Sequence, residues 1–266
     1  MKANIFLYFL GTAGAGKSTM TGAFHSWMLR QGYDAVTVNL DPGALHLPYN
    51  PDVDIRDWVK LEDIMDEFSL GPNGAQVTSS DMMYLHAEDI RETLEGFRTD
   101  YFLVDTPGQM ELFAYREPTR DLIRSISIGG SIAMFLFEPV LSSTPAGMVS
   151  QLSLASTVKY KMDMPFIQVL NKIDILEEEV RERVERWADP DFLYTDLTMA
   201  AVDDPGSMGG MGSMTNEMSV NMYRALESMG EAAKFIPASA TTMEGMEDIY
   251  SMVQAVFMGG EDLDPE

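Results

Sequence analysis

The sequence predicts an α/β fold of three layers, in which a mainly parallel β-sheet lies between layers of helices. Short apolar runs rich in β-branched and aromatic residues alternate with longer amphipathic segments along the 266 residues, a pattern typical of strands that alternate with helices. The predicted strands are almost continuously apolar, as expected when helices cover both faces of a sheet. A glycine-rich segment follows the first strand and leads into the first helix.

The apolar runs predict six strands, and the amphipathic segments predict seven helices. The strands are placed at residues 5–10, 35–40, 101–104, 132–137, 166–170 and 235–237. Helices are predicted to begin at Lys17, near Ile55, around Ser79, near Glu117, near Met148 and at Glu177, and the last to span 246–257. Residues 203–217, rich in Gly, Ser and Met, are predicted to form a loop. That loop is either a flexible linker or an adaptable contact surface for a partner.

The same pattern indicates one domain over residues 1–266, with two helical insertions. One insertion covers about residues 50–98, and a more variable one covers about residues 177–234. No repeat of 20 to 50 residues is present, which excludes solenoids and propellers.

The composition excludes several classes of function. The chain has 42 acidic and 18 basic residues, a net charge of -24, so nucleic acid and anionic membranes are not expected as partners. There is no cysteine, which excludes disulfides and thiolate chemistry. The first apolar run is too short to cross a bilayer and has no signal-cleavage pattern, so we expect a cytoplasmic protein.

Residues 11–18, GTAGAGKS, match the phosphate-loop pattern G-x-x-x-x-G-K-[ST] between a predicted strand and a predicted helix. Backbone N–H groups of such a loop surround phosphate oxygens, while Lys17 reaches the β- and γ-phosphates and the Ser18 hydroxyl can bind Mg²⁺. The pattern therefore predicts a P-loop NTPase fold. The predicted contacts to the nucleotide are Gly14, Ala15, Gly16, Lys17, Ser18 and Thr19.

A second polar segment, DTPGQ at residues 105–109, follows the strand at 101–104. Asp105 at the carboxyl end of that strand is predicted to hold Mg²⁺ through a water molecule, and the Gly108 N–H to meet the γ-phosphate. The alternative for this segment is a plain Pro-Gly turn.

The motif NKID at residues 171–174 predicts selection of guanine. The Asp174 carboxylate can accept hydrogen bonds from N1–H and the exocyclic amine of guanine, while the Lys172 stem can lie along the ring. Adenine lacks this pair of donors, so the site should reject ATP strongly. The predicted base site also includes Asn171, Ser239 and Ala240. A backbone N–H at 239–240 is expected to face O6 of guanine.

These motifs together resemble the GPN-loop GTPase family. The resemblance covers nearly the whole chain and includes the phosphate loop, NLDPGA at 39–44, GPN at 71–73, DTPGQME at 105–111, NKID and Ser239-Ala240. Gly71, Pro72 and Asn73 alone would predict only a tight turn between helices. In company with the other motifs, they identify the chain as similar to the archaeal members, which form homodimers.

The family resemblance assigns the remaining roles. It implies that Asn73 offers its amide to the phosphate site of the facing subunit, and that Asp41 orients the attacking water directly or through Mg²⁺. Gln109 and Glu111 match the family's switch segment, which couples loss of the γ-phosphate to movement at the dimer contact. Arg56 either assists at the phosphates or forms a surface salt bridge.

The expected function is that of a Mg²⁺-dependent GTPase. The dimer would hydrolyse GTP to GDP and phosphate and act as a switch in the assembly of other proteins, whose identity the sequence does not give. Ser18, Asp41 and Asp105 are the predicted metal residues. The alternative is a scaffold or assembly chaperone that retains GTP or GDP with little turnover.

Overall fold

A computed structural model describes residues 4–109, 114–202, 211–232 and 234–258. Its centre is a parallel sheet of seven strands in the order β3-β2-β4-β1-β5-β6-β7. The strands are β1 (Ile5–Gly11), β2 (Ala35–Asn39), β3 (Val53–Asp54), β4 (Tyr101–Asp105), β5 (Gly130–Phe137), β6 (Phe166–Leu170) and β7 (Ile236–Pro237).

Ten α-helices lie within the described residues. They are α1 (Lys17–Gln31), α2 (Leu61–Phe68), α3 (Pro72–Leu85), α4 (Ala87–Glu95), α5 (Glu117–Ile126), α6 (Pro145–Met162), α7 (Glu178–Arg186), α8 (Pro190–Val202), α9 (Met211–Ser228) and α10 (Met246–Met258). No helix in these ranges is long and apolar enough to cross a membrane.

The side chains of β1 alternate between two hydrophobic clusters, one on each face of the sheet. Phe6 and Tyr8 pack into the cluster that includes residues of α4, α5 and α6. Leu7 and Phe9 pack into the cluster formed with α1 and α10. Because every residue of β1 is buried, helices cover both faces of the sheet, and the predicted three-layer fold is confirmed.

The predicted strands agree with the structure to within about two residues, and β6 matches at both ends. The two-residue strand β3 was not predicted, because so short an element leaves no periodic signal. The helix predicted near Ile55 is wrong. Ile55–Asp57 is one 3₁₀ turn, capped where the Asp54 side chain accepts from the Arg56 N–H, and α2 begins only at Leu61.

Two further predictions on helices need correction. The helix predicted around Ser79 begins at Pro72, whose fixed φ suits the first position of a helix, and extended Gly71 precedes it. Of the predicted loop at 203–217, residues 203–210 lie outside the described residues, whereas 211–217 belong to α9. Packing of α9 through buried Tyr223 and Leu226 outweighs the unfavourable composition at its start.

Candidate active site

The predicted chemistry lies at the carboxyl edge of the sheet, where parallel strands bring distant segments together. Asp105, the last residue of β4, is in register with Phe9 of β1 on one side and Asn39 of β2 on the other. The phosphate loop begins at the end of β1, and Asp41 follows β2 by two residues. The strand order therefore places these three segments side by side.

The phosphate loop has the backbone that its glycines permit. Gly14 and Gly16 have φ values of 83° and 91°, a left-handed region that favours glycine. An added Cβ at Gly16 would lie only 2.6 Å from Asn171 Nδ2. Lys17 is buried, and its Nζ donates to the carbonyl oxygens of Gly11 at 2.9 Å and Thr12 at 3.0 Å. The ammonium group is thus held within the loop.

Asp105 is fully buried beside this loop. The neighbouring Thr106 fixes the strand end by donating to the Phe9 carbonyl at 2.6 Å. The Asp105 Oδ2 atom accepts from the Tyr49 hydroxyl at 3.1 Å, whereas Oδ1 is buried without a hydrogen-bond partner among the described residues. Burial raises the Asp105 pKa to about 6, against the opposing effects of Ser18, Tyr49 and Lys17.

Asp41 lies close to Lys17 and to the segment after β4. Its Oδ1 accepts from the Gly43 N–H at 2.9 Å, and its backbone N–H donates to the Asn39 side chain at 3.0 Å. Burial raises the pKa of Asp41, while the backbone N–H groups of Gly43 and Gly108 and the charge of Lys17 oppose the rise. The structure therefore brings Asp41, Lys17 and Gly108 together.

Arg56 forms a salt bridge. Its Nε lies 2.9 Å and 3.0 Å from the two carboxylate oxygens of Asp54, and its NH1 donates to the Ala44 carbonyl at 2.7 Å. Asn39 also donates to Asp54, at 2.9 Å. Of the two roles open from sequence, the structure favours an ion pair that fastens the loop after β2.

The NKID motif is connected directly to the phosphate loop. Asn171 Nδ2 donates to the Ala15 carbonyl at 2.9 Å, and Lys172 Nζ donates to the Gly14 carbonyl at 2.7 Å. The close fit at Gly16 belongs to this same contact. Shared hydrogen bonds thus fix the phosphate loop and the NKID motif relative to each other.

The same motif also holds the segment after β7. The Asn171 side chain accepts from the Ala240 N–H at 3.4 Å, and the Ser239 hydroxyl donates to Asp174 Oδ1 at 2.6 Å. Asp174 is exposed, whereas a strong rejection of ATP is expected of a buried carboxylate, which costs more free energy when it is left unpaired. The second oxygen of Asp174 is open to a ligand, and its charge is partly screened by water.

Asn73 is the second residue of α3 and is exposed. One turn later on the same helix, the Gln76 side chain lies near Gly43, the residue that binds Asp41. The GPN segment is thus at the surface, on a helix that contacts the Asp41 loop. No described hydrogen bond joins the Asn73 side chain to the phosphate loop of its own chain.

Gln109 is half-buried and ends the described part of its segment, while Glu111 lies outside the described residues. Two residues of the site were not predicted from sequence. Tyr49 belongs to an irregular segment, and only its hydrogen bond to Asp105 reveals its importance. Asn39 was quoted only within a motif, although it joins Asp41 to Asp54.

Known proteins match this chain over almost its whole length. A family model described as "Conserved hypothetical ATP binding protein" matches residues 9–259. The GPN-loop GTPase PAB0955 of Pyrococcus abyssi is 33% identical over 251 residues, which are 93% of this chain and 95% of that protein. The chain belongs to the GPN-loop GTPase family.

A further relative and a crystal structure agree with the assignment of this GPN-loop protein to its family. GPN-loop GTPase 3 of Eremothecium gossypii is 30% identical over 262 residues, covering 97% of this chain and 93% of the relative. The crystal structure of PAB0955 itself, a GTPase in apo form from Pyrococcus abyssi, superposes with a TM-score of 0.79 at 32% identity, covering 97% of this chain and 99% of that one. The resemblance inferred from the motifs is confirmed, and so is the P-loop fold.

Proposed function

We propose that this protein is a homodimeric, Mg²⁺-dependent enzyme that hydrolyses GTP to GDP and phosphate and uses the nucleotide state to assemble other proteins. The observation that carries the proposal is the buried Asp105 carboxylate, which has a free oxygen beside the phosphate loop and close to Lys17 and Ser18. A buried carboxylate oxygen without a partner is costly unless a ligand or cation uses it.

The residues present fit Mg²⁺. This ion prefers oxygen ligands and is usually held by one or two carboxylates together with substrate phosphates. Asp105 and Asp41 supply the carboxylates, and Ser18 supplies a hydroxyl. The described residues contain no group of three or more His, Cys, Asp or Glu side chains suited to a metal, so the phosphates would complete the coordination. Bound Mg²⁺ would neutralise charge on the β- and γ-phosphates.

Other residues of the chain would bind the phosphates, orient the attacking water and select the base. Lys17 and the loop N–H groups bind the phosphates, and Asp41 orients the water that attacks the γ-phosphate. Asp41 is held for this task by the N–H of Gly43 and by Asn39. Asp174 selects guanine, and Ser239 fixes the orientation of its carboxylate.

The cross-subunit role of Asn73 is supported by its exposure and by its place on the helix that contacts the Asp41 loop. An exposed amide at the start of a helix can reach a facing subunit. There it would stabilise the charge that develops on the transferred phosphoryl group.

The proposal as a whole is tested by phosphate release from the purified protein. With GTP and Mg²⁺ we expect many turnovers per dimer, and with excess EDTA we expect none. Stable retention of bound GTP in the presence of Mg²⁺ would instead identify a nucleotide-binding scaffold.

Replacing Asn73 with alanine should lower GTP turnover about tenfold or more, because one neutral donor to the transition state is lost. Dimerisation, measured by light scattering, should persist. Asn221→Ala, at an exposed position on α9, is the matched control and should leave turnover unchanged.

Mixed dimers test whether Asn73 acts across the interface. A subunit with Asn73→Ala retains an intact phosphate loop, and a subunit with Asp105→Asn retains an intact Asn73. Mixing the two variants should restore activity at one of the two sites. If the mixed dimer forms and no activity returns, Asn73 acts within its own chain.

Tyr49→Phe should raise the Mg²⁺ concentration needed for half-maximal turnover about tenfold. The change removes the hydroxyl that orients Asp105, and outer-shell partners of metal ligands typically contribute on this scale. Mg²⁺-dependent binding of fluorescent GDP should shift in parallel, while Tyr84→Phe, on exposed α3 surface, should have no effect. An unchanged Mg²⁺ requirement for Tyr49→Phe would contradict the role.

A further inference from the structure

A concave surface lies at the amino ends of the strands, opposite the candidate active site. A groove of about 1300 Å³ runs between α5, α6 and α9. Met164 and Pro165 line it and come directly before β6, so it is at the amino end of the strands. The phosphate loop and Asp105 are at the carboxyl end, and no residue proposed for nucleotide binding lines this groove.

The rim of the groove is basic in a strongly acidic protein. Arg120 and Arg124 come from α5, and Lys159 and Lys161 come from the end of α6. These are four of only 18 basic residues, against 42 acidic ones in the chain. A local concentration of positive charge in such a background attracts and orients an acidic ligand.

Carboxylates of the protein neutralise only part of this charge. Lys159 Nζ lies 2.6 Å from Glu231. Arg124 has an oxygen of Asp121 at 3.8 Å, near the limit for an ion pair, and its side chain is 69% exposed. The residues that line the groove include four cationic side chains and two carboxylates, Asp163 and Glu231. The lining therefore carries net positive charge.

The floor of the groove is apolar and adaptable. Its side chains include Met164, Met222, Leu226 and Met229. Met229 is 63% exposed, and Tyr160 on the rim is 83% exposed. Large exposed apolar side chains grouped within a polar rim are typical of protein-binding surfaces. Methionine suits such a surface because its flexible thioether adapts to different partners.

We infer that this groove binds a segment of a partner protein in which Asp and Glu alternate with large apolar residues. The acidic side chains would pair with Arg120, Arg124 and Lys161, and the apolar ones would cover the methionine floor. A polynucleotide would match the rim but not the floor, and the net charge of -24 would repel it over the rest of the surface. The inference does not depend on GTP hydrolysis.

The test uses the full chain and a fluorescein-labelled 12-residue peptide that alternates Glu with Leu and Phe. Fluorescence anisotropy should show saturable binding. Two control peptides, one with Lys for Glu and one with Ser for Leu and Phe, should bind at least tenfold more weakly, because each lacks one half of the complementarity. Saturable binding that is equally strong for either control peptide would overturn the inference, and so would absence of binding by the first peptide.

Variants locate the site. The double variant Arg124→Glu/Lys161→Glu should weaken binding at least tenfold, and Met229→Ser should weaken it several-fold. The matched double variant Arg30→Glu/Arg98→Glu has the same charge change at exposed positions outside the groove and should bind normally. Thermal melting identifies any variant that fails to fold. An equal loss in both double variants would show a general charge effect and overturn the inference.

One further arm distinguishes a partner from the chain itself. Residues 259–266, GGEDLDPE, are acidic. Peptide binding should be the same with and without this segment. If binding appears only after its removal, the groove belongs to the chain's own segment, and the assignment to a partner is overturned.

Discussion

Asp174→Asn is expected to weaken GTP binding about a hundredfold. In the proposed guanine site the carboxylate would accept two hydrogen bonds from the base, and hydrogen bonds to a charged group contribute roughly 1.5–3 kcal/mol each. The exposure of Asp174 in the structure places the expected loss toward the lower part of that range, because water screens the charge. The NH₂ group of asparagine would also point at the exocyclic amine of guanine, so two hydrogen-bond donors would face each other.

Competition binding with XTP makes this prediction sharper. Xanthine carries a carbonyl where guanine carries the exocyclic amine, so an asparagine side chain complements xanthine at both positions. The variant should therefore prefer XTP to GTP, whereas the parent should prefer GTP to both XTP and ATP. Asp248→Asn, exposed on α10, is the control. Unchanged GTP affinity and selectivity in Asp174→Asn would refute the assignment of guanine.

The sheet and the phosphate loop are the parts of the molecule that sequence predicts well. The strands that carry the site are continuous apolar runs. In the loop, Gly14 and Gly16 have positive φ values that favour glycine. Asp105 and Asn171 could be placed because Asp105 ends β4 and Asn171 directly follows β6. In a parallel sheet, this position alone brings residues from distant parts of the chain to one edge.

Contacts between irregular segments could not be predicted in the same way. Tyr49 and Asp105 are 56 residues apart, and neither neighbourhood has a pattern that indicates their hydrogen bond. The start of α3 was misplaced although Pro72 is a favourable first residue, because the same tripeptide also forms turns. The exposure of Asp174 depends on how the segment after β7 packs, which periodicity does not report.

Glu138 is a carboxylate whose position in the sequence suggests a functional role that its contacts in the structure do not support. Glu138 directly follows β5, and Asp105 is the last residue of β4, so position alone would suggest a functional carboxylate at both places. In the structure the Glu138 side chain accepts from the Leu141 N–H at 2.7 Å and stabilises the 3₁₀ turn at Leu141–Ser143. Position at the sheet edge thus identifies candidates, and the hydrogen-bond partners decide which ones face the nucleotide.

Asp105→Asn is expected to have opposite effects on activity and on stability. Turnover should fall about a thousandfold, because the carboxylate proposed to hold Mg²⁺ is lost and metal stabilisation of the transferring phosphate contributes several kcal/mol. The nucleotide-free protein in EDTA should nevertheless become more stable at pH 7. In that state the side chain is a buried carboxylate whose Oδ1 has no hydrogen-bond partner among the described residues.

The size and pH dependence of the gain follow from the Asp105 pKa. Burial raises this pKa from 3.8 to about 6, and each unit corresponds to about 1.4 kcal/mol, so the ionised group costs on the order of 3 kcal/mol at pH 7. Asparagine retains an acceptor for Tyr49 but buries an amide, which leaves a net gain of about 2 kcal/mol, or roughly 5 °C in the melting temperature.

The gain should disappear as the pH falls from 7 to about 4.5. The pKa of Asp105 is higher in the folded than in the unfolded protein, so between these values the folded state binds more protons, and acidification relieves the cost in the parent. Melting curves of parent, Asp105→Asn and the exposed control Asp66→Asn at both pH values check this. A variant that is less stable than the parent at pH 7, or a difference independent of pH, would show that the buried charge is already compensated. The free oxygen of Asp105 would then no longer support a metal site there.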